Sequence, residues 1–197
     1  MNTKALIFDA DGMIVHGERF SKRLARDFGI STDITTPFFV NEFQLCLVGK
    51  ADLKQELAKH LKKWGWEKSI DDLLDVWFDE SHTQIEAQFL PLIQNLRAKG
   101  VAVYLATNNE KYRTANLVEG RGLGKLVDGV FSSAHLGSKK PEADFFQRMI
   151  DEIGIDKRQI VFWDDDMENI DGAVAFGLPA ELYTDFAKFQ EKVAGLM

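Results

Sequence analysis

The sequence predicts an α/β protein: a Rossmann-like parallel sheet core carrying a small inserted all-helical cap. Three observations predict it. Short apolar runs of strand length alternate with longer stretches of helical periodicity. The stretch between the first two runs is too long for one crossover and reads as helices throughout. Polar clusters stand directly behind the apolar runs, the position at which open parallel sheets bind ligands.

The elements follow in order. The first predicted strand covers residues 4–8 and runs into Asp9-Ala10-Asp11-Gly12. Residues 14–88 are expected to form the cap. Within it, residues 51–63 place Leu53, Leu57, Ala58 and Leu61 on one helical face, and residues 71–78 place Leu74 and Trp77 likewise. Met13, Ile14 and Val15 are taken as the flexible exit from the core, which comprises residues 1–13 and 89–197. Lys99-Gly100 reads as a helix end before a second strand at 101–106, which leads into Thr107-Asn108-Asn109. The third strand, 129–132, precedes Lys139-Lys140-Pro141. The fourth, 160–163, follows a turn at 156–158 and ends in Asp164-Asp165-Asp166, and a fifth is expected at 180–183. Four strand ends far apart in sequence would thus converge on one crevice.

Composition narrows the function classes. The 197 residues include 24 Lys and Arg against 31 Asp and Glu, a formal charge of −7, with no basic stripe. Nucleic acid is an unsuitable partner for such a chain. The single cysteine, Cys46, excludes an internal disulfide and suits a reducing compartment. The first residues reach charge too soon for a signal peptide, and no apolar stretch approaches the ~20 residues of a membrane helix. A cytoplasmic protein with no membrane partner is expected, a monomer or weak homodimer.

The four clusters, in order, are LIFDADG (6–12), LATNN (105–109), GSKKPEADFF (137–146) and VFWDDDMENIDGA (161–173). Together they resemble the motifs of the haloacid dehalogenase-like hydrolase superfamily, over nearly the whole chain, with a cap like that of its first subclass. The resemblance implies an enzyme with Asp9 as nucleophile, attacking phosphorus to form an aspartyl phosphate. It makes Asp11 the acid and base, a role commonly worth about 10²–10⁴-fold in rate. The family's dehalogenases lack that second Asp, so phosphate esters are favoured over organohalides. Thr107 and the amide of Asn108 would bind the phosphate, together with Lys140, chosen over Lys139 because it directly precedes Pro141.

An acidic triplet behind a buried strand calls for a counter-charge. At ~4 Å and an effective dielectric near 20, each like-charge pair costs about 4 kcal/mol, so a phosphate would not enter without a cation. Mg²⁺ suits oxygen ligands of this kind. The resemblance supplies one oxygen of Asp9, the carbonyl of Asp11 and the side chain of Asp165. Asp164 stands where Gly is frequent and Asn169 where a second Asp is frequent, and Asp166 is expected to cap the following helix. A calcium loop fails at DDDMENIDG because its sixth position is Asn169. GRGLGK, residues 120–125, lacks the spacing of a nucleotide loop and reads as a helix stop. His16, Trp64 and Trp66 are read as ordinary packing or surface residues.

The expected function is therefore a Mg²⁺-dependent phosphatase acting on a small phosphorylated metabolite, with a sugar phosphate as one candidate. The alternatives are a phosphomutase of the β-phosphoglucomutase type and, from another class, a catalytically idle binding or regulatory protein on the same fold.

Overall fold

The structure, a computed structural model, describes residues 3–196. Seven strands occur among the described residues: β1 (Ala5–Phe8), β2 (Val15–Gly17), β3 (Thr83–Ile85), β4 (Ala102–Thr107), β5 (Gly129–Ser132), β6 (Ile160–Asp164) and β7 (Ala180–Leu182). Five of them form a parallel sheet in the order β5-β4-β1-β6-β7. The chain builds outward from β1 through β4 to β5, then returns to the other side of β1 for β6. That reversal opens a crevice at the carboxyl ends of β1, β4 and β6.

The central strand is apolar on both faces because both are covered. Leu6 and Phe8 pack with Val103, Leu105, Trp163 and Phe189 on one side. Ala5 and Ile7 pack with Phe145, Phe146, Phe162 and Ala173 on the other. The strand period of two sends alternate side chains into the two cores. Among the described residues no helix is long and apolar enough to cross a membrane.

Between β2 and β3 lie the helices Phe20–Phe28, Thr32–Val40, Glu42–Leu47, Leu53–Ala58, Leu61–Trp64 and Ile70–Phe78. They enclose a third core of Phe20, Leu24, Phe38, Cys46, Leu57, Trp64 and Leu73. Cys46 is a buried apolar group there, and Trp64 and Trp66 are buried packing residues. The helix expected over residues 51–63 is instead two. Lys59 and His60 donate to Glu56 and Leu57 three residues back, which tightens the turn and stops the first helix. The helix expected at 71–78 starts at Ile70, because Ser69 and Asp72 form a reciprocal capping box.

Two features were not anticipated. The ends of the helical segment pair as an antiparallel ribbon, Val15 opposite Ile85 and Gly17 opposite Thr83. Met13, Ile14 and Val15 are not a flexible exit: all three are buried in the main core beside Phe8 and Phe89. Three apolar side chains in succession cannot remain in water when a core lies within reach, and the amides of Ile14 and Val15 both bond the carbonyl of Ala10.

Candidate active site

The first cluster begins where β1 ends. Asp9 donates its amide to the carbonyl of Trp163, so its backbone is still held by the sheet while its side chain reaches the crevice. Gly12 follows in a left-handed conformation, φ +98°, and a Cβ there would lie 2.1 Å from an oxygen of Asp165. Glycine is thus demanded twice, by the turn and by the approach of the fourth motif to the first.

Lys140 ties three strands together. Its Nζ donates to Asp9 Oδ1 at 2.7 Å, to Asp164 Oδ2 at 2.6 Å and to the carbonyl of Ala106 at 2.8 Å. All three ammonium protons are thereby used. Burial works against the charge of Lys140, yet the two carboxylates hold its pKa above the usual lysine range. Burial pushes the Asp9 carboxyl up to about 7, with Lys140 pulling down and Asp164 pushing up. Asp165 is also raised, by burial and by its neighbour Asp164. Lys139 points elsewhere, its Nζ donating to Gln44 Oε1 at 2.7 Å among the inserted helices.

Asn108 fixes the backbone of Lys140. Its Nδ2 donates to the Lys140 carbonyl and its Oδ1 accepts from the Lys140 amide, each at 2.9 Å. The Asn108 side chain is thus committed to the lysine loop, and its backbone amide remains the group that the resemblance assigns to phosphate. Asp164 is fully buried, accepting from Lys140, from the Asp166 amide at 2.9 Å and from Asn169 Nδ2 at 3.1 Å. Asn169 therefore orients Asp164. Asp166 caps the helix Met167–Phe176 by accepting from the Glu168 amide.

Asp11 belongs to a network that sequence reasoning missed. Asn109 Nδ2 donates to Asp11 Oδ2 and to Thr107 Oγ1, both at 2.6 Å. Arg113 donates to Asp11 Oδ1 at 3.1 Å. Asn109 carried a signal, lying in the same strand-end cluster as Thr107. Arg113 carried none, being one of several charged residues on a helix.

All the sequence-predicted residues line one chamber of about 420 Å³: Asp9, Asp11, Thr107, Asn108, Lys140 and Asp165, with Asp164 and Asn169. Oxygens of Asp9, Asp164 and Asp165 all lie within 4.8 Å of one another. Ligand oxygens about 2.1 Å from an octahedral Mg²⁺ stand roughly 3–4 Å apart, so the donor set suits such an ion after a small approach. His16 is exposed at the ribbon, beside this chamber.

A parallel sheet with four motif-bearing strand ends and a carboxylate nucleophile candidate at the central strand defines a class of α/β hydrolases. The family model of haloacid dehalogenase-like hydrolases matches residues 3–177, and the chain belongs to that family. It is similar to a sesquiterpene phosphatase of Aspergillus oryzae, 33% identical over 100 residues. That match covers 51% of this chain and 51% of the relative, so the chain spans about half the length of this curated relative. It is 24% identical to the phosphoglycolate phosphatase of Rhodospirillum rubrum, over 98% of this chain and 84% of that one. Among solved structures, a haloacid dehalogenase family enzyme of Bacteroides thetaiotaomicron in complex with magnesium and inorganic phosphate superposes with a TM-score of 0.81. That likeness is at 20% identity and covers 95% of this chain and 98% of the other.

Proposed function

We propose that the chain is a Mg²⁺-dependent phosphatase that hydrolyses small phosphomonoesters through an aspartyl phosphate on Asp9. The observation that carries this reading is the placement of Asp9, at the end of the central strand, against Lys140 and within one chamber with Asp11, Thr107 and Asp165. The phosphatase relatives and the magnesium and phosphate bound to the structural neighbour support it.

An oxygen of Asp9 attacks phosphorus, the ester P–O bond breaks, and Asp11 gives its proton to the departing oxygen. Asp11 then takes a proton from water as that water attacks phosphorus and the bond to Asp9 breaks, releasing phosphate and restoring both carboxyl groups. Thr107 and the Asn108 amide hold phosphoryl oxygens, and Lys140 offsets the charge of Asp9 and Asp164. Asp9, Asp165 and the carbonyl of Asp11 would hold Mg²⁺, which when bound neutralises the incoming phosphate. The helices between β2 and β3 serve as the cap, a unit inserted across residues 14–88 that shields the chamber from bulk water.

Hydrolysis of p-nitrophenyl phosphate tests the reading. Mg²⁺-dependent release of inorganic phosphate is expected, abolished by Asp9→Asn and lowered about 10²–10⁴-fold by Asp11→Asn. Transfer of the phosphoryl group to a second sugar hydroxyl, without release, would identify a mutase. A folded protein with no turnover would instead be a binding protein.

A further inference from the structure

We infer that the leaving group of the substrate carries a carboxylate, and that Arg19 is the residue that receives it. This rests on the phosphatase reading above. A second cavity of about 380 Å³ adjoins the phosphate chamber, and the two share Asp11, Gly12 and Arg19. Asp11, as the acid, faces the ester oxygen. Whatever that oxygen belongs to therefore extends past Asp11 into this second cavity.

The charges around the cavity do not balance. Each of its acids has a partner: Asp11 is paired with Arg113 at 3.1 Å, and Glu18 with Arg26. Glu110 accepts from the amides of Tyr112 at 2.8 Å and Arg113 at 2.5 Å. Two guanidinium groups lining the cavity have no carboxylate. Buried Arg23 bonds only the carbonyls of Val76 at 2.6 Å and Trp77 at 3.2 Å, and its Nε has no partner. Exposed Arg19 has no side-chain hydrogen bond or ion pair among the described residues.

A hydrocarbon or uncharged leaving group would leave the Arg19 guanidinium at the mouth of the cavity without a charged partner. A carboxylate accepts two parallel hydrogen bonds from the guanidinium fork. Arg23 is fixed on its carbonyls, which among the described residues lining the cavity leaves Arg19 as the free fork, a match for one carboxylate. Phe20 and Trp77, stacked with centroids 4.4 Å apart, offer an apolar wall for the short carbon chain between the two anionic ends.

The test compares 2-phosphoglycolate with ethyl phosphate, esters of the same length with and without the carboxylate, as kcat/KM in saturating Mg²⁺. Wild-type protein should favour the carboxylated ester by about 10²-fold, since a site built for a polar group discriminates strongly against its absence. Arg19→Gln, at an exposed position, should bring the ratio to within about threefold, mostly through KM, and Arg19→Lys should retain about tenfold preference. A wild-type ratio near one, or a ratio unchanged in Arg19→Gln while ethyl phosphate is still hydrolysed, overturns the inference and leaves the phosphatase reading standing. Failure to hydrolyse any ester, including p-nitrophenyl phosphate, overturns both.

Discussion

At the scale of single residues, the site is governed by how Asp9 and Lys140 share a buried volume. The carboxyl of Asp9, lifted by burial from 3.8 to about 7, is disfavoured as an anion in the folded protein without a cation. The unfolded chain gives up this proton first, so rising pH between about 4 and 7 weakens the cation-free fold. A bound cation needs the anion, so proton and metal compete. Calorimetric titration with Mg²⁺ should show affinity falling about tenfold per pH unit below about 7 and levelling above it. Affinity that stays flat from pH 5 to 7 would contradict a site centred on Asp9. Asp9, Asp11, Thr107, Lys140 and Asp165 were legible because each stands immediately beyond an apolar run or in a short motif with fixed neighbours. Asn109, Arg113 and Arg19 were not, since their meaning lies in partners or cavities formed by distant chain. Arg113, for example, meets Asp11 across 102 positions.

At the scale of elements, the inserted helices are fastened over the sheet by a few polar groups. Asp52 caps the helix Leu53–Ala58 by accepting from the Gln55 amide at 3.0 Å. The same carboxylate receives Lys111 Nζ at 2.6 Å and the Tyr112 hydroxyl at 2.9 Å from the helix after β4. The Lys111 bond leads in holding its pKa down at about 2. A depressed acid lends stability above its unfolded pKa and loses it as pH falls, here between about 4 and 2. Asp52→Ala should cost about 1–2 kcal/mol in urea unfolding at pH 7, chiefly as a lost helix cap, with the difference clearly smaller at pH 2. An equal loss at both values would assign the effect to packing alone. The five strands of the parallel sheet were readable to within a residue because buried parallel strands are largely apolar runs, whereas β2 and β3, short and partly exposed, were not. The division at Lys59-His60 was not, because the apolar spacing continues across it while the hydrogen bonds do not.

At the scale of the whole molecule, three cores meet around one crevice, two on the faces of the sheet and one within the inserted helices. The crevice draws its walls from β1, β4, β6 and the loop beyond β5, so a cation that binds there joins segments from both ends of the chain. Binding to the folded state alone should raise the unfolding free energy by about 2.7 kcal/mol at a hundredfold excess over Kd. Thermal melts with and without Mg²⁺ should therefore separate for the wild type and coincide for Asp165→Asn. Coincident wild-type melts would remove the ion from the crevice. The burial of Met13–Val15 was the main misreading at this scale. A short apolar run between a glycine turn and His16 looks like a tether until the sheet that absorbs it is assembled.

The β2–β3 ribbon has a further consequence. Because departing and returning chain lie side by side, hydrogen-bonded from Val15–Ile85 to Gly17–Thr83, the sheet senses only one short fixed separation between two stems. Whatever is spliced onto those stems, a hairpin turn or a bundle of helices, leaves the strands behind it in register. The helices carried on those stems can thus vary without displacing Asp9, Lys140 or Asp165.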